Sequence, residues 1–143
     1  AEQGASAAIN GGFFNLTDGA STSYVFLDGK LSADPHENKA LLSNPRLQAF
    51  LPAIFNRSEI RILQAKSANK KETKIQIAAR NEKLPGGYEL RDSLQAGPRL
   101  LPRLNCQEEA FVRNQSDGSI ADSISCYKAA ARSAFGTTAD GYA

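Results

Sequence analysis

Apolar and polar positions recur with two different periods along this chain, and the change of period separates strand-forming from helix-forming stretches. Residues 24–27 are a short apolar run that predicts a strand. Asp28-Gly29 follows, and Lys30-Leu31 begins a return strand. That dipeptide suits a type I′ hairpin turn, whose two central positions need positive φ. Further on, Ile60 and Ile62 flank Arg61, while Ile75, Ile77 and Ala79 alternate with Lys74, Gln76 and Ala78. Period two predicts two half-buried strands here, joined by the polar loop 65–73. Residues 84–87 form a turn-rich connection, and residues 94–96 predict another strand, ended by Gly97-Pro98. Residues 131–137 predict a last strand, running into the turn Asp140-Gly141.

The helical period occurs once. Leu47, Phe50, Leu51, Ile54 and Phe55 stand at i, i+3, i+4, i+7 and i+8, which lines one helical face. Asn44 is a good N-cap and Pro45 a good first helical residue. Pro52 falls inside the pattern, so the helix should kink or divide there. The stripe is read as core, in preference to a partner-binding surface. Residues 34–44 and 105–122 are polar and expected to be irregular, with one helical turn around Glu108. The pattern as a whole predicts an α+β fold, with a mixed or antiparallel sheet and a few helices.

At 143 residues the chain suits one domain. The 17 basic and 15 acidic residues leave a net charge of +2, too small for a nucleic-acid footprint. The densest basic run, Lys70-Lys71 with Lys66 and Lys74, is broken by Glu72, lacks interleaved aromatics and is read as a solvated loop tip. No apolar run approaches the ~20 residues of a membrane span. The chain has no Met, so it was processed or is a piece of something longer, and a strand at 131–137 without a partner would be an exposed edge that favours the second reading. Cys106 and Cys126 are 20 residues apart; a disulfide is favoured over two buried thiols, which would place the protein in an oxidising compartment. Three Asn-x-Ser/Thr sequons start at Asn15, Asn56 and Asn114 and carry little weight.

One histidine, His36, cannot build a metal cluster, and without a nucleophile signature it reads as a loop residue. Three segments carry candidate chemistry. In Ala8-Ile9-Asn10-Gly11-Gly12-Phe13-Phe14, a glycine bend exposes backbone N–H groups that can cradle an anion, Asn10 adds an amide, and Phe13 can pack beneath a sugar or fill the core. In Gln95-Ala96-Gly97-Pro98-Arg99-Leu100, a forced bend separates two apolar stretches. In Ala131-Arg132-Ser133-Ala134-Phe135-Gly136, an arginine precedes small residues; its planar fork suits a phosphate. Each segment alone reads equally well as structure.

The ordered set of three resembles the phosphodiester glycosidase family. Family members show Ala-x-Asn-Gly-Gly-Phe-Phe near the start, Gln-x-Gly-Pro-x-Leu in the middle, and Arg-Thr/Ser-Ala-x-Gly leading to an Asp-Gly turn. These match residues 8–14, residues 95–100, and Arg132 to Gly136 with Asp140-Gly141. The family includes enzymes that remove N-acetylglucosamine from a phosphodiester-linked mannose, and bacterial exopolysaccharide-related proteins. It continues past the Asp-Gly turn to a signature like Asn-x-Asp-Gly-Gly-Gly-Ser, absent here. The resemblance therefore implies that residues 1–143 are the N-terminal part of a single larger domain, with residues 38–55 a helical insertion.

The resemblance implies a hydrolase of sugar-1-phosphodiesters, extracytoplasmic, with a non-catalytic glycan-binding module as the alternative. Arg132 and Ser133 would bind the phosphate. Asn10, Gly11, Gly12 and Phe13 would bind phosphate or sugar. Gln95, Gly97 and Pro98 would shape the pocket wall. Asp140 is a weak candidate acid, and no nucleophile is assigned. No cofactor or metal ligand is expected, with a structural divalent cation left open. The expected partners are a phosphorylated glycan or sugar phosphodiester, and the rest of the domain as a separate chain; nucleic acid and a membrane span are not expected.

Overall fold

A computed structural model describes residues 8–9, 11–67 and 72–138. Asn10, Asp140 and Gly141, and the tip of the basic loop at Lys70-Lys71, lie outside the described residues. Five strands form one sheet: β1 (Val25–Leu27), β2 (Lys30–Ala33), β3 (Ser58–Ala65), β4 (Thr73–Ala79) and β5 (Tyr88–Gln95), in the order β2-β1-β5-β3-β4. Every pairing among the described strands is antiparallel. With two short helices, α1 (Lys39–Leu42) and α2 (Leu51–Phe55), the fold is α+β, as the pattern predicts.

The hairpins follow their local chemistry. Asp28 and Gly29 adopt φ of 49° and 75°, the positive pair that a type I′ turn requires. β3 and β4 pair as the expected hairpin, with Ile60 opposite Ile77 and Ile62 opposite Ile75. The strand expected at 94–96 is the end of a longer one, β5, in which Tyr88 and Leu90 alternate with Glu89 and Arg91 before Asp92 and Ser93 interrupt the pattern.

Burial on this sheet runs against the alternation. The isoleucine face of β3 is only half-buried, whereas Glu59, Arg61 and Leu63 on the other face are buried. Buried charge is tolerated only when paired and hydrogen-bonded. Glu59 meets Arg61 Nε at 2.6 Å and Arg80 Nη1 at 3.0 Å. Arg61 also donates to the carbonyls of Ala79, Arg80 and Glu82, which folds the 79–82 turn over this face.

Four expectations need correction. Residues 34–44 are not irregular: a 3-10 turn at Pro35–Glu37 leads into α1, because Asn38 accepts a hydrogen bond from Leu41 N and caps it. The helical stripe is not one capped helix. Asn44 closes only a turn, Gln48–Phe50 is 3-10, and α2 starts one residue before Pro52, whose missing N–H is harmless at a helix start. The stripe is core: Leu47, Phe50, Leu51 and Phe55 pack around Leu41, Ile54 and Ala110.

Residues 105–122 hold the expected turn at Glu108, but also a second sheet, β6 (Val112–Asn114) with β7 (Ile120–Asp122). Polar turn residues around Gly118 hid that hairpin in the pattern. Conversely, the strand expected at 131–137 does not form; the segment is largely exposed and pairs with no described strand. A single large apolar side chain there, Phe135, gives it little to bury. Cys106 and Cys126 are joined in a disulfide, as expected, and pack against Phe111 and Val112.

A candidate anion-binding site built around Arg57

Arg57 follows α2 and directly precedes β3, so the chain turns from helix to strand at a buried arginine. Its guanidinium stacks on Phe111, 3.8 Å from the ring centroid, with Phe13 at 5.8 Å. Nε donates to the Glu109 carbonyl at 2.9 Å. Stacking and this bond orient the planar fork, and both are favourable for a weakly hydrated cation.

The fork borders a cavity of about 200 Å³. Phe13, Phe111, Leu41, Leu47, Ile54 and Ile124 give it apolar walls, and Thr22 and Ser123 add hydroxyls. A second guanidinium, Arg113 of β6, also lines it, held by the Ala110 carbonyl at 2.6 Å and Ser123 Oγ at 2.8 Å. No carboxylate is among the described residues that line it. Burial pulls Arg57 down from the ordinary arginine range to about 10; Glu109 opposes the shift and Arg113 adds to it. Burial also lowers Arg113. Both remain charged at neutral pH, so two partly desolvated cations face one small cavity. An anion there would relieve a cost already present in the empty protein.

The segments singled out in the sequence form the frame of this residue. A Cβ on Gly12 would lie 2.6 Å from the Gln95 carbonyl, so only glycine lets this bend close on the end of β5 and deliver Phe13 to the cavity. Gln95 is buried and is not among the residues that line this cavity. Its Nε2 donates to the carbonyls of Phe55 (2.9 Å) and Arg57 (3.1 Å), and its Oε1 accepts from Tyr24 N. Gly97 has φ of 80°, and a Cβ there would overlap Glu109 Oε2. The buried Glu109 carboxylate in turn accepts from Ser58 N, Ser58 Oγ and Arg99 N. Gln95 and Gly97 thus hold the backbone on either side of Arg57, and Pro98 continues the bend beside them.

Arg132 and Ser133 are exposed and do not line the cavity. Arg132 donates to the carbonyls of Ile124, Ser125 and Ala130, which places it behind the cavity wall formed by Ile124. Gly11 lies beside Leu94. His36 is half-exposed, with Nδ1 2.9 Å from both Tyr24 Oη and Asp34 Oδ1 and its ring 4.0 Å from Phe55. No group of three or more His, Cys, Asp or Glu that could hold a metal occurs among the described residues.

Arg57 and Arg113 escape sequence reasoning because neither belongs to a glycine motif. The signal present was slight: each is a lone arginine beside buried apolar residues, after Ile54-Phe55 and after Phe111-Val112. No curated protein and no solved structure matches the chain. The family model described as phosphodiester glycosidase matches residues 3–143, a span that takes in all three glycine- and arginine-bearing segments together with the residues of the two-arginine cavity, and the chain belongs to that family.

Proposed function

We propose that the protein hydrolyses the bond between a sugar anomeric carbon and a phosphodiester, acting on glycans outside the cytoplasm, and that Arg57 and Arg113 receive the phosphate. The observation that carries this reading is the pair of guanidinium groups on one small, largely apolar cavity. In the reaction water adds to the anomeric carbon while the bond to the phosphate oxygen breaks. The electron pair leaves with that oxygen, the attacking water loses one proton to solvent, and the phosphate passes from a monoanionic diester to a dianionic monoester. Two fixed cations therefore bind the departing group more strongly than the substrate, which is what lowers a barrier. Phe13 and Phe111 offer apolar surface to the sugar ring. The disulfide, and the absence among the described residues of a helix long and apolar enough to cross a membrane, are compatible with an extracytoplasmic setting.

Arg132 takes a supporting part in this proposal. Through its bonds to the carbonyls of residues 124, 125 and 130 it fixes the wall behind Ile124.

One observation favours the alternative, a glycan-binding module without turnover. Glycoside hydrolysis usually engages two carboxylates, and none is among the described residues that line the cavity. Release of free sugar from a sugar-1-phosphodiester separates the readings. Arg113→Ala should lower kcat/KM by about 10²–10³, the scale of a lost oxyanion contact. Undiminished kcat/KM in Arg113→Ala would remove this cavity from the reaction. Saturable binding of the diester with no sugar released by the wild type would establish the binding module instead.

A further inference from the structure

Glu109 is buried, yet it is not among the residues that line the cavity. It stands in the turn 105–111, between β5 and β6. Phe111 N bonds to the Cys106 carbonyl at 2.8 Å and Ala110 N to the Gln107 carbonyl at 3.0 Å, the bonding of a Schellman-type turn. Ala110, with φ of 55°, takes the left-handed position that glycine usually fills. An alanine is strained there, and such strain persists only where the surroundings fix it.

The end of a helical turn leaves carbonyls without main-chain partners. Here the two arginines supply them. The Glu109 carbonyl accepts from Arg57 Nε at 2.9 Å. The Ala110 carbonyl accepts from Arg113 Nη1 at 2.6 Å and, by a longer bond, from Arg57 Nη2 at 3.4 Å. One main-chain oxygen therefore joins both guanidinium groups. Carbonyls orient the two cations but carry no net charge to set against their repulsion. The Glu109 side chain carries that charge. Its oxygens accept from Ser58 N at 3.1 Å, Ser58 Oγ at 2.8 Å and Arg99 N at 3.0 Å. All three partners are donors, which suits a carboxylate. The main chain of Glu109 thus holds residue 57, and its side chain holds residue 58. Burial lowers Arg57 to about 10, Glu109 works against that fall, and Arg113 adds to it. Inside the cavity a carboxylate would repel an anion. Outside the lining, it offsets the positive charge without meeting the ligand.

We propose that Glu109 is a positioning residue of the two-arginine site: its main chain, with that of Ala110, aligns the guanidinium groups, and its carboxylate is the fixed counter-charge that keeps them together in the empty protein. The inference rests on the phosphate reading above for its ligand. The hold of Glu109 on Arg57 is measurable without one.

The test compares the wild type, Glu109→Gln and Glu109→Asp, each as the whole chain. The guanidinium resonances of Arg57 are followed against pH without ligand. Affinity for the methyl ester of a C-glycosyl phosphonate is then measured by calorimetry across the same pH range. In the wild type Arg57 should titrate near pH 10. In Glu109→Gln the midpoint should fall by about one pH unit, the low end of what a neighbouring opposite charge imposes, and the alkaline loss of affinity should move with it. Glu109→Asp keeps the charge but draws it back from Ser58 and Arg99. Its midpoint should stay at the wild-type value, while affinity at neutral pH falls about fivefold to tenfold, the scale of one or two lost hydrogen bonds. An unmoved midpoint in Glu109→Gln, with affinity lowered by one factor at every pH, would reduce Glu109 to packing and overturn the inference while the phosphate reading stood. Unchanged neutral-pH affinity in Glu109→Asp would overturn the positioning role, whether or not Glu109→Gln folds. A lowered midpoint in Glu109→Gln, with no binding of the phosphonate by the wild type, would uphold the hold on Arg57 and overturn the phosphate reading.

Discussion

Gln95 donates a hydrogen bond from its buried side chain to the carbonyl of Arg57, 38 residues away, at 3.1 Å. This bond ties the end of β5 to the start of β3 at the residue whose guanidinium borders the cavity. Gln95 acts on any ligand only through Arg57, as a positioning residue.

Gln95→Leu should therefore affect both stability and binding. The replacement is close in size but leaves Tyr24 N and the carbonyls of Phe55 and Arg57 without their partner. Each buried unpaired group costs about 1–3 kcal/mol, so a loss of roughly 3 kcal/mol or more is expected in urea unfolding. Affinity for a non-hydrolysable sugar-1-phosphodiester analogue should also fall in the folded fraction. Lost stability with unaltered affinity would make Gln95 a core residue only.

Gly97 and Gly118 form a matched pair, both with φ of 80°. At Gly118 an added Cβ meets nothing within 4 Å, whereas at Gly97 it meets the Glu109 carboxylate and lies 3.0 Å from Phe111. Gly118→Ala should cost only the left-handed backbone penalty, about 1–2 kcal/mol. Gly97→Ala should cost clearly more, because Glu109 must leave Ser58 and Arg99. Equal costs in thermal unfolding would mean that Glu109 moves freely.

The disulfide closes a loop between residues 20 apart that contains Phe111 and Ile124, two walls of the first cavity. Constraint of the unfolded chain over such a loop is worth about 3 kcal/mol. Reductant, or Cys106→Ala with Cys126→Ala, should lower unfolding stability by about that amount. Unchanged stability under reducing conditions would show that the loop is held by packing alone.

Glu82 accepts from Ala79 N at 2.8 Å and from Arg99 Nη2 at 2.7 Å, and these bonds hold its carboxyl below the ordinary 4.5. A carboxylate lowered by folding stabilises the protein above its unfolded value, and that contribution is lost as pH falls through the folded value. The side chain is 47% exposed, so the effect should be under about 1 kcal/mol. Glu82→Gln should be less stable than the wild type at neutral pH, with the gap closing below about pH 4. A gap independent of pH would assign the effect to the hydrogen bonds and not to the charge.

Local chemistry alone determined much of this molecule. Asp28-Gly29 dictates its turn, and the Ile60/Ile62 and Ile75/Ile77 alternations dictate two strands, since these depend on backbone sterics and on neighbours within a few residues. The glycine segments were visible for a related reason: a position that excludes a Cβ leaves its mark in the residue type. Tertiary structure decided which face of the sheet is buried, since Glu59 and Arg61 become tolerable inside only once Arg80 and the 79–82 carbonyls arrive to pair with them. It also decided that Gln95, Gly97 and Glu109 converge on Arg57, and that Arg113 comes to share its cavity. An arginine reads the same in a sequence whether solvated or buried, and only long-range contacts, which no local period records, remove its water.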